Sequence, residues 1–210
     1  MANLYKVIDE NTWERAMHCM IFRNSVEPAF CVTFEVDITG LKNYVKENNL
    51  SFTLAMVYAV CKCANQIEEF RYRFADGKIV LFDKVDTAFT YLNRETELFK
   101  VVNVEMQDTL EEYVAVAART EKEQKEYFTA PLGNDVFQFS AFPWVSFTHI
   151  SHTDSGKKDN ATPLFDWGKY YEMDGKILLP FSVQVHHSFV DGVHIGKLAE
   201  KLQHYLDTYK

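Results

Sequence analysis

The chain has 210 residues, 47% of them apolar, and 30 acidic against 22 basic side chains give a formal net charge of −8. That size suits one domain spanning residues 1–210 with ample material for a core. The acidic balance argues against nucleic-acid partners, since no basic run exceeds Lys157-Lys158. The start, Met1 to Lys6, lacks the charged-then-apolar pattern of a leader, and no apolar stretch approaches the ~18–20 residues that span a bilayer. A cytoplasmic protein without membrane partners is expected.

In chain order, Asn11-Thr12 is placed to cap a helix from Trp13 to Phe22, with Trp13, Met17, Met20 and Ile21 as its apolar face. Ala29 to Asp37 reads as a strand, Thr39 to Lys46 as a short helix, and Ser51 as the cap of a nearly all-apolar, buried helix from Phe52 to Ile67. Phe70–Phe74 and Lys78–Phe82 flank Ala75-Asp76-Gly77, a hairpin signal. Strands follow at Asp86–Leu92 and Leu98–Val104. Asp108, with Glu111 three residues on, is placed to cap a helix to Tyr127. Thr129 to Asp135 reads as a loop, Val136–Phe142 and Val145–Ile150 as strands, and the polar run Ser151–Thr162 as an exposed loop. Cys19, Cys31, Cys61 and Cys63 have no metal-type spacing and read as plain thiols. The high aromatic content fills a core or lines a pocket for an apolar ligand.

The final third is the most informative. Phe181, Val183 and Val185 alternate with Ser182 and Gln184, which predicts a strand, and Asp191-Gly192 ends it. Ile195, Leu198, Leu202 and Leu206 then mark an amphipathic helix. His186 and His187 sit where the strand gives way. Adjacent side chains on extended backbone point to opposite faces, so the pair cannot hold one metal ion, and no metal is expected. A single imidazole held near a hydroxyl suffices for a general base. Taken alone, the pair reads equally as one structural and one surface histidine. Strands and helices alternate irregularly and no glycine-rich phosphate loop is present, which predicts a mixed-sheet α/β or α+β sandwich.

His186-His187-Ser188-Phe189-Val190-Asp191-Gly192 fits a His-His-x-x-x-Asp-Gly signature, and the chain resembles the chloramphenicol acetyltransferase family. Further matches are Trp13-Glu14-Arg15 with His18, Glu69-Phe70-Arg71, Asp76 to Val80, Glu95 to Phe99, Ser140-Ala141-Phe142-Pro143-Trp144-Val145-Ser146-Phe147 and Lys169-Tyr170. The resemblance implies a two-layer α/β sandwich of the CoA-dependent acyltransferase type, its mixed sheet covered by helices on one face. It also implies acetyl transfer from acetyl-CoA to the hydroxyl of chloramphenicol in a ternary complex. By the same resemblance His187 is the general base, Ser140 the oxyanion donor, and Asp191 a structural partner of Arg15. Lys169 and Tyr170 fall on the CoA side, and the protein is a homotrimer with sites between subunits.

The chain departs from the family around the acceptor, where Phe22, Val26, Phe30 and Asp166 are expected. Phe22 replaces a tyrosine found in some members, Asp166 stands where the family has a threonine, and Ser155 to Asn160 replaces an Asn-rich segment. Another hydrophobic alcohol, or a catalytically lapsed trimeric ligand-binding protein, therefore stands as the alternative.

Overall fold

The computed structural model describes residues 3–129, 133–152, 156–157 and 159–209. Part of the expected 129–135 loop, and Ser155 and Lys158 of the replaced segment, lie outside the described residues. The elements are β1 (Tyr5–Val7), α1 (Ala16–Arg23), β2 (Ala29–Asp37), α2 (Thr39–Glu47), α3 (Phe52–Asn65), a 3-10 turn (Glu68–Arg71), β3 (Tyr72–Ala75), β4 (Lys78–Phe82), β5 (Asp86–Leu92), β6 (Phe99–Val104), α4 (Leu110–Glu123), β7 (Val136–Ala141), β8 (Leu164–Trp167), β9 (Tyr171–Met173), β10 (Lys176–His186) and α5 (Gly192–Asp207). They build a mixed main sheet ordered β2-β10-β8-β7-β5-β6, with β9 beside β10, and a small sheet β1-β4-β3. The pairs β5–β7 and β7–β8 are parallel and the rest antiparallel. The expected acyltransferase-type α/β architecture is what forms.

Local chemistry explains the helices. Ser51 Oγ accepts from the Leu54 N–H, one of the donors a helix start leaves unsatisfied. The apolar α3 is buried along most of its length and packs against α4 and α5 as well as β5 and β7. At α4 the cap is Thr109, not Asp108: Thr109 and Glu112 satisfy each other's backbone N–H groups, one residue later than expected. That helix ends at Glu123 rather than Tyr127. Asp76 and Gly77 both take positive φ, 48° and 76°, as a two-residue hairpin turn requires, although this hairpin joins the small sheet.

Further expectations fail. Val145–Ile150 is not a strand. After Pro143-Trp144 the chain leaves the sheet: Val145 O accepts from the Lys169 N–H, and among the described residues Val145–Ile150 pairs with no strand. Gly168 is needed at that crossing, because a Cβ there would lie 2.8 Å from the Val145 oxygen. The apolar face expected on the first helix is also not buried in this chain. Met17, Met20 and Ile21 are exposed and Cys19 faces the core.

The main sheet carries two parallel rows of contrasting chemistry. Val102, Phe89, Phe139, Phe165, Val183 and Val32 are aligned across it, and one residue along run Thr90, Ser140, Asp166, Ser182 and Thr33. Because strand side chains alternate, the second row faces away from the first.

Candidate active site

Strand β10, held between β2 and β8, delivers the two histidines to opposite environments. His186 is buried against Phe74 and Phe189, and its Nδ1 accepts from the Ser188 N–H. His187 extends the β2 pairing by one bond, donating its N–H to Pro28 O at 2.8 Å. Its ring stacks on Phe22, with centroids 3.8 Å apart and planes 15° apart, and meets Phe30 at 4.7 Å. Two of the four residues expected at the acceptor, Phe22 and Phe30, thus hold the imidazole, while Val26 is 86% exposed in the single chain.

The turn after His187 is clamped by Arg15. Its guanidinium donates to both Asp191 oxygens, at 2.6 and 2.7 Å, to Ser188 O at 2.8 Å and to His187 O at 3.1 Å. This bidentate geometry is what the planar fork of arginine provides. His194 contributes from α5: its Nδ1 accepts from the Asp191 N–H, and its Nε2 lies 3.4 Å from Glu69. His187 Nδ1 lies 3.1 Å from Asp191 Oδ1, but it is off-axis and makes no hydrogen bond. The nearby carboxylate favours a proton on Nδ1, which leaves Nε2 as the basic nitrogen.

The side chains of Arg15 and Asp191 are 15% and 32% exposed, so the pair is only partly buried. The Arg15 hydrogen bond holds the Asp191 carboxyl below the ordinary carboxylate range. Asp191 therefore adds stability above its unfolded pKa of ~3.9, and that contribution is lost as pH falls through the lower folded value. The stability difference between the wild type and Asp191→Asn should be full at neutral pH and shrink below about pH 4. Urea unfolding across a pH series measures it. A difference that does not change with pH would contradict this role.

Ser140 lies near the end of β7 and receives a hydrogen bond from Thr90 Oγ1 at 3.4 Å, which leaves its own O–H able to donate. It opens on a cleft of about 1220 Å³ whose walls include Phe99, Phe139, Trp144, Leu164 and His152. Asp166, expected to contact the acceptor, is 0% exposed. It is covered by His152, whose Nε2 sits 2.8 Å from Asp166 Oδ2, and burial pushes the Asp166 carboxyl up. The side chain that reaches the cleft there is His152, which sequence reasoning missed because it falls in a polar loop.

Lys169 and Tyr170 are exposed on the far side of Gly168. Lys42, also missed, places its Nζ 4.4 Å from the Tyr170 ring and 4.7 Å from Phe52. A lysine on an amphipathic helix carries no distinguishing signal. The result is a small cationic and aromatic patch.

The strand register separates the two expected catalytic groups. Ser140 is level with Asp166, and Asp166 with Ser182. His187 is five residues beyond Ser182 along the chain, roughly 16 Å at the rise of an extended strand, and two strands away from Ser140. General-base catalysis needs contacts of about 3 Å. His187 and Ser140 of one chain are too far apart to serve the same reacting atoms.

The sequence pattern of the chloramphenicol acetyltransferase family matches residues 3–203. Chloramphenicol acetyltransferase 2 of Escherichia coli is 33% identical over 200 residues, covering 93% of this chain and 94% of that protein. Chloramphenicol acetyltransferase 2 of Haemophilus influenzae is 31% identical over 205 residues, covering 96% of each. A solved chloramphenicol acetyltransferase superposes with a TM-score of 0.88 at 28% identity, covering 97% of this chain and all of that one. The cubic core of a pyruvate dehydrogenase multienzyme complex shares the fold, at TM-score 0.66 and 19% identity over 91% of this chain and 86% of that one.

Proposed function

The chain belongs to the chloramphenicol acetyltransferase family, and on that premise we propose that it transfers the acetyl group of acetyl-CoA to a hydroxyl of chloramphenicol. A single acetyltransferase domain working in the cytoplasm, where both substrates meet, would inactivate the antibiotic.

In this reading His187 Nε2 removes the acceptor's hydroxyl proton as that oxygen attacks the thioester carbonyl. Ser140 donates a hydrogen bond to the oxyanion that develops there. When the carbon–sulfur bond breaks, His187 returns its proton to the departing thiolate, so the enzyme ends as it began. The observation that carries the proposal is the four-bond Arg15 clamp on Asp191 and the 187–188 carbonyls. Together with the Phe22 stack it fixes one imidazole face and edge, the orientation that proton transfer needs.

The His187–Ser140 separation supports a site completed by a second copy, with His187 from one subunit and Ser140 from its neighbour. The exposed apolar residues Met17, Met20 and Ile21 on α1 and Val26 after it, and Phe99 and Trp144 at the cleft, support the same reading, because monomers seldom expose such patches. A homotrimer is the assembly that the family likeness favours. Lys42, Lys169 and Tyr170 are placed on the CoA side, where local cations answer the overall charge of −8. No metal enters the scheme.

The buried Asp166 and the absence of a phenolic hydroxyl at Phe22 favour one second reading, in which another hydrophobic alcohol is the better acceptor. Thiol release from acetyl-CoA tests both. Release that depends on chloramphenicol is expected, with slower turnover of other alcohols. Release with none of a panel of alcohols would favour a ligand-binding protein without activity.

A further inference from the structure

The cleft contains one ionisable pair that the proposed chemistry does not use. His152 Nε2 lies 2.8 Å from Asp166 Oδ2, with the histidine side chain 25% exposed and the aspartate wholly buried. Asp166 Oδ1 is buried with no hydrogen-bond partner among the described residues. The segment carrying His152 is pinned to the sheet. Its backbone N–H donates to Gln184 Oε1 at 3.2 Å, and Cys31 Sγ bonds the Ile150 carbonyl at 2.9 Å. Asp166 is level with Ser140 on the adjoining strand, so the pair is fixed next to the oxyanion donor rather than on a mobile surface.

Such an arrangement is costly. Taking a carboxylate out of water carries a penalty, and replacing a buried ion pair by well-packed apolar side chains is often neutral or stabilising. Ionisable groups kept in a cleft against that penalty are candidates for a role in the site. The chemistry of the pair defines the role. A carboxylate accepting at Nε2 holds the imidazole proton there, which presents Nδ1 of the neutral ring as a hydrogen-bond acceptor. His152 makes no hydrogen bond from Nδ1 among those of the described residues.

Resting on the acetyltransferase reading above, we infer that His152 is a specificity-determining residue of the acceptor pocket and Asp166 its positioning residue. The Nδ1 atom accepts a hydrogen bond from an O–H or N–H of the acceptor other than the hydroxyl that is acetylated. The acceptor class selected is a hydrophobic alcohol with a second donor, such as a diol or an amide alcohol. A site built around such a bond discriminates against analogues that lack the donor.

The test compares two acceptors that share a nitroaryl group. Chloramphenicol has a second hydroxyl and an amide, whereas 4-nitrobenzyl alcohol has only the reacting hydroxyl. For His152→Phe, KM for chloramphenicol should rise about 10–100-fold with kcat little changed, while kcat/KM for 4-nitrobenzyl alcohol stays as in the wild type. His152→Gln, whose amide oxygen accepts, should restore part of the loss. Asp166→Asn should give a smaller rise in KM, again confined to chloramphenicol. These two variants keep the volume of the pair and serve if His152→Phe folds poorly. Equal losses on both alcohols, or no change on either, would overturn the inference. Wild-type rates test the acetyltransferase reading and the change in their ratio tests this one, so the two fail separately.

Discussion

Replacing His187 with alanine should lower chloramphenicol-dependent thiol release by about 10²–10⁴-fold, the range a positioned general base contributes. KM for acetyl-CoA should hold, because His187 touches Phe22, Phe30 and the Arg15-clamped turn rather than the Lys42–Tyr170 patch. The effect belongs in kcat. A ring lost from between two phenylalanines also leaves a gap, so a thermal melt should accompany the kinetics. If the variant is folded and active, proton removal is done by another group. The other imidazole of the pair is no substitute: His186 is 3% exposed and faces Phe74 and Phe189.

Ser140→Ala should cost about 10²–10³-fold in kcat, the loss seen when one oxyanion donor is removed. Its environment makes the substitution clean. Thr90 Oγ1 is the neighbour that loses an acceptor, and at 3.4 Å that bond is weak, so the fold should not suffer. A fall in kcat and kcat/KM together would mark an interaction made only in the transition state. A rise in KM alone would instead place Ser140 among the binding groups.

Much of this arrangement was legible in the residues. The alternation through Phe181, Val183 and Val185 gave the strand, and it also gave the opposite facing of His186 and His187. Asp76-Gly77 set its own turn, and Ser51 its own cap. Each of these depends on local chemistry. What stayed hidden depends on partners distant in sequence. The residues Val145–Ile150 have strand propensity, yet among the described residues they pair with no strand. The cap shifted from Asp108 to Thr109 because both residues can cap and both Glu111 and Glu112 follow at the right spacing. The apolar stripe of α1 is legible in the sequence, but not that Met17, Met20 and Ile21 stay exposed in the single chain.

His152 is the clearest omission. It lies in a polar loop whose composition reads as solvent-facing, and only the sheet register that sets Asp166 beside Ser140 gives it meaning. Arg15, by contrast, was identified through its place in a motif, and the bonds it makes are more extensive than pairing with Asp191. Sequence similarity named the candidate groups, and the strand register shows that His187 and Ser140 of one chain lie far apart.

One measurement tests directly whether His187 and Ser140 act from different copies. His187→Ala and Ser140→Ala chains, each inactive alone, can be co-expressed with different affinity tags and the doubly tagged oligomer isolated. If His187 of one copy serves Ser140 of its neighbour, each mixed trimer, whether 2:1 or 1:2, has about one site in three with both groups intact. Thiol release should then return to about a third of the wild-type rate. If the two groups act within one chain, every site in the mixed oligomer lacks one of them, and activity no higher than that of the separate variants would contradict the shared site.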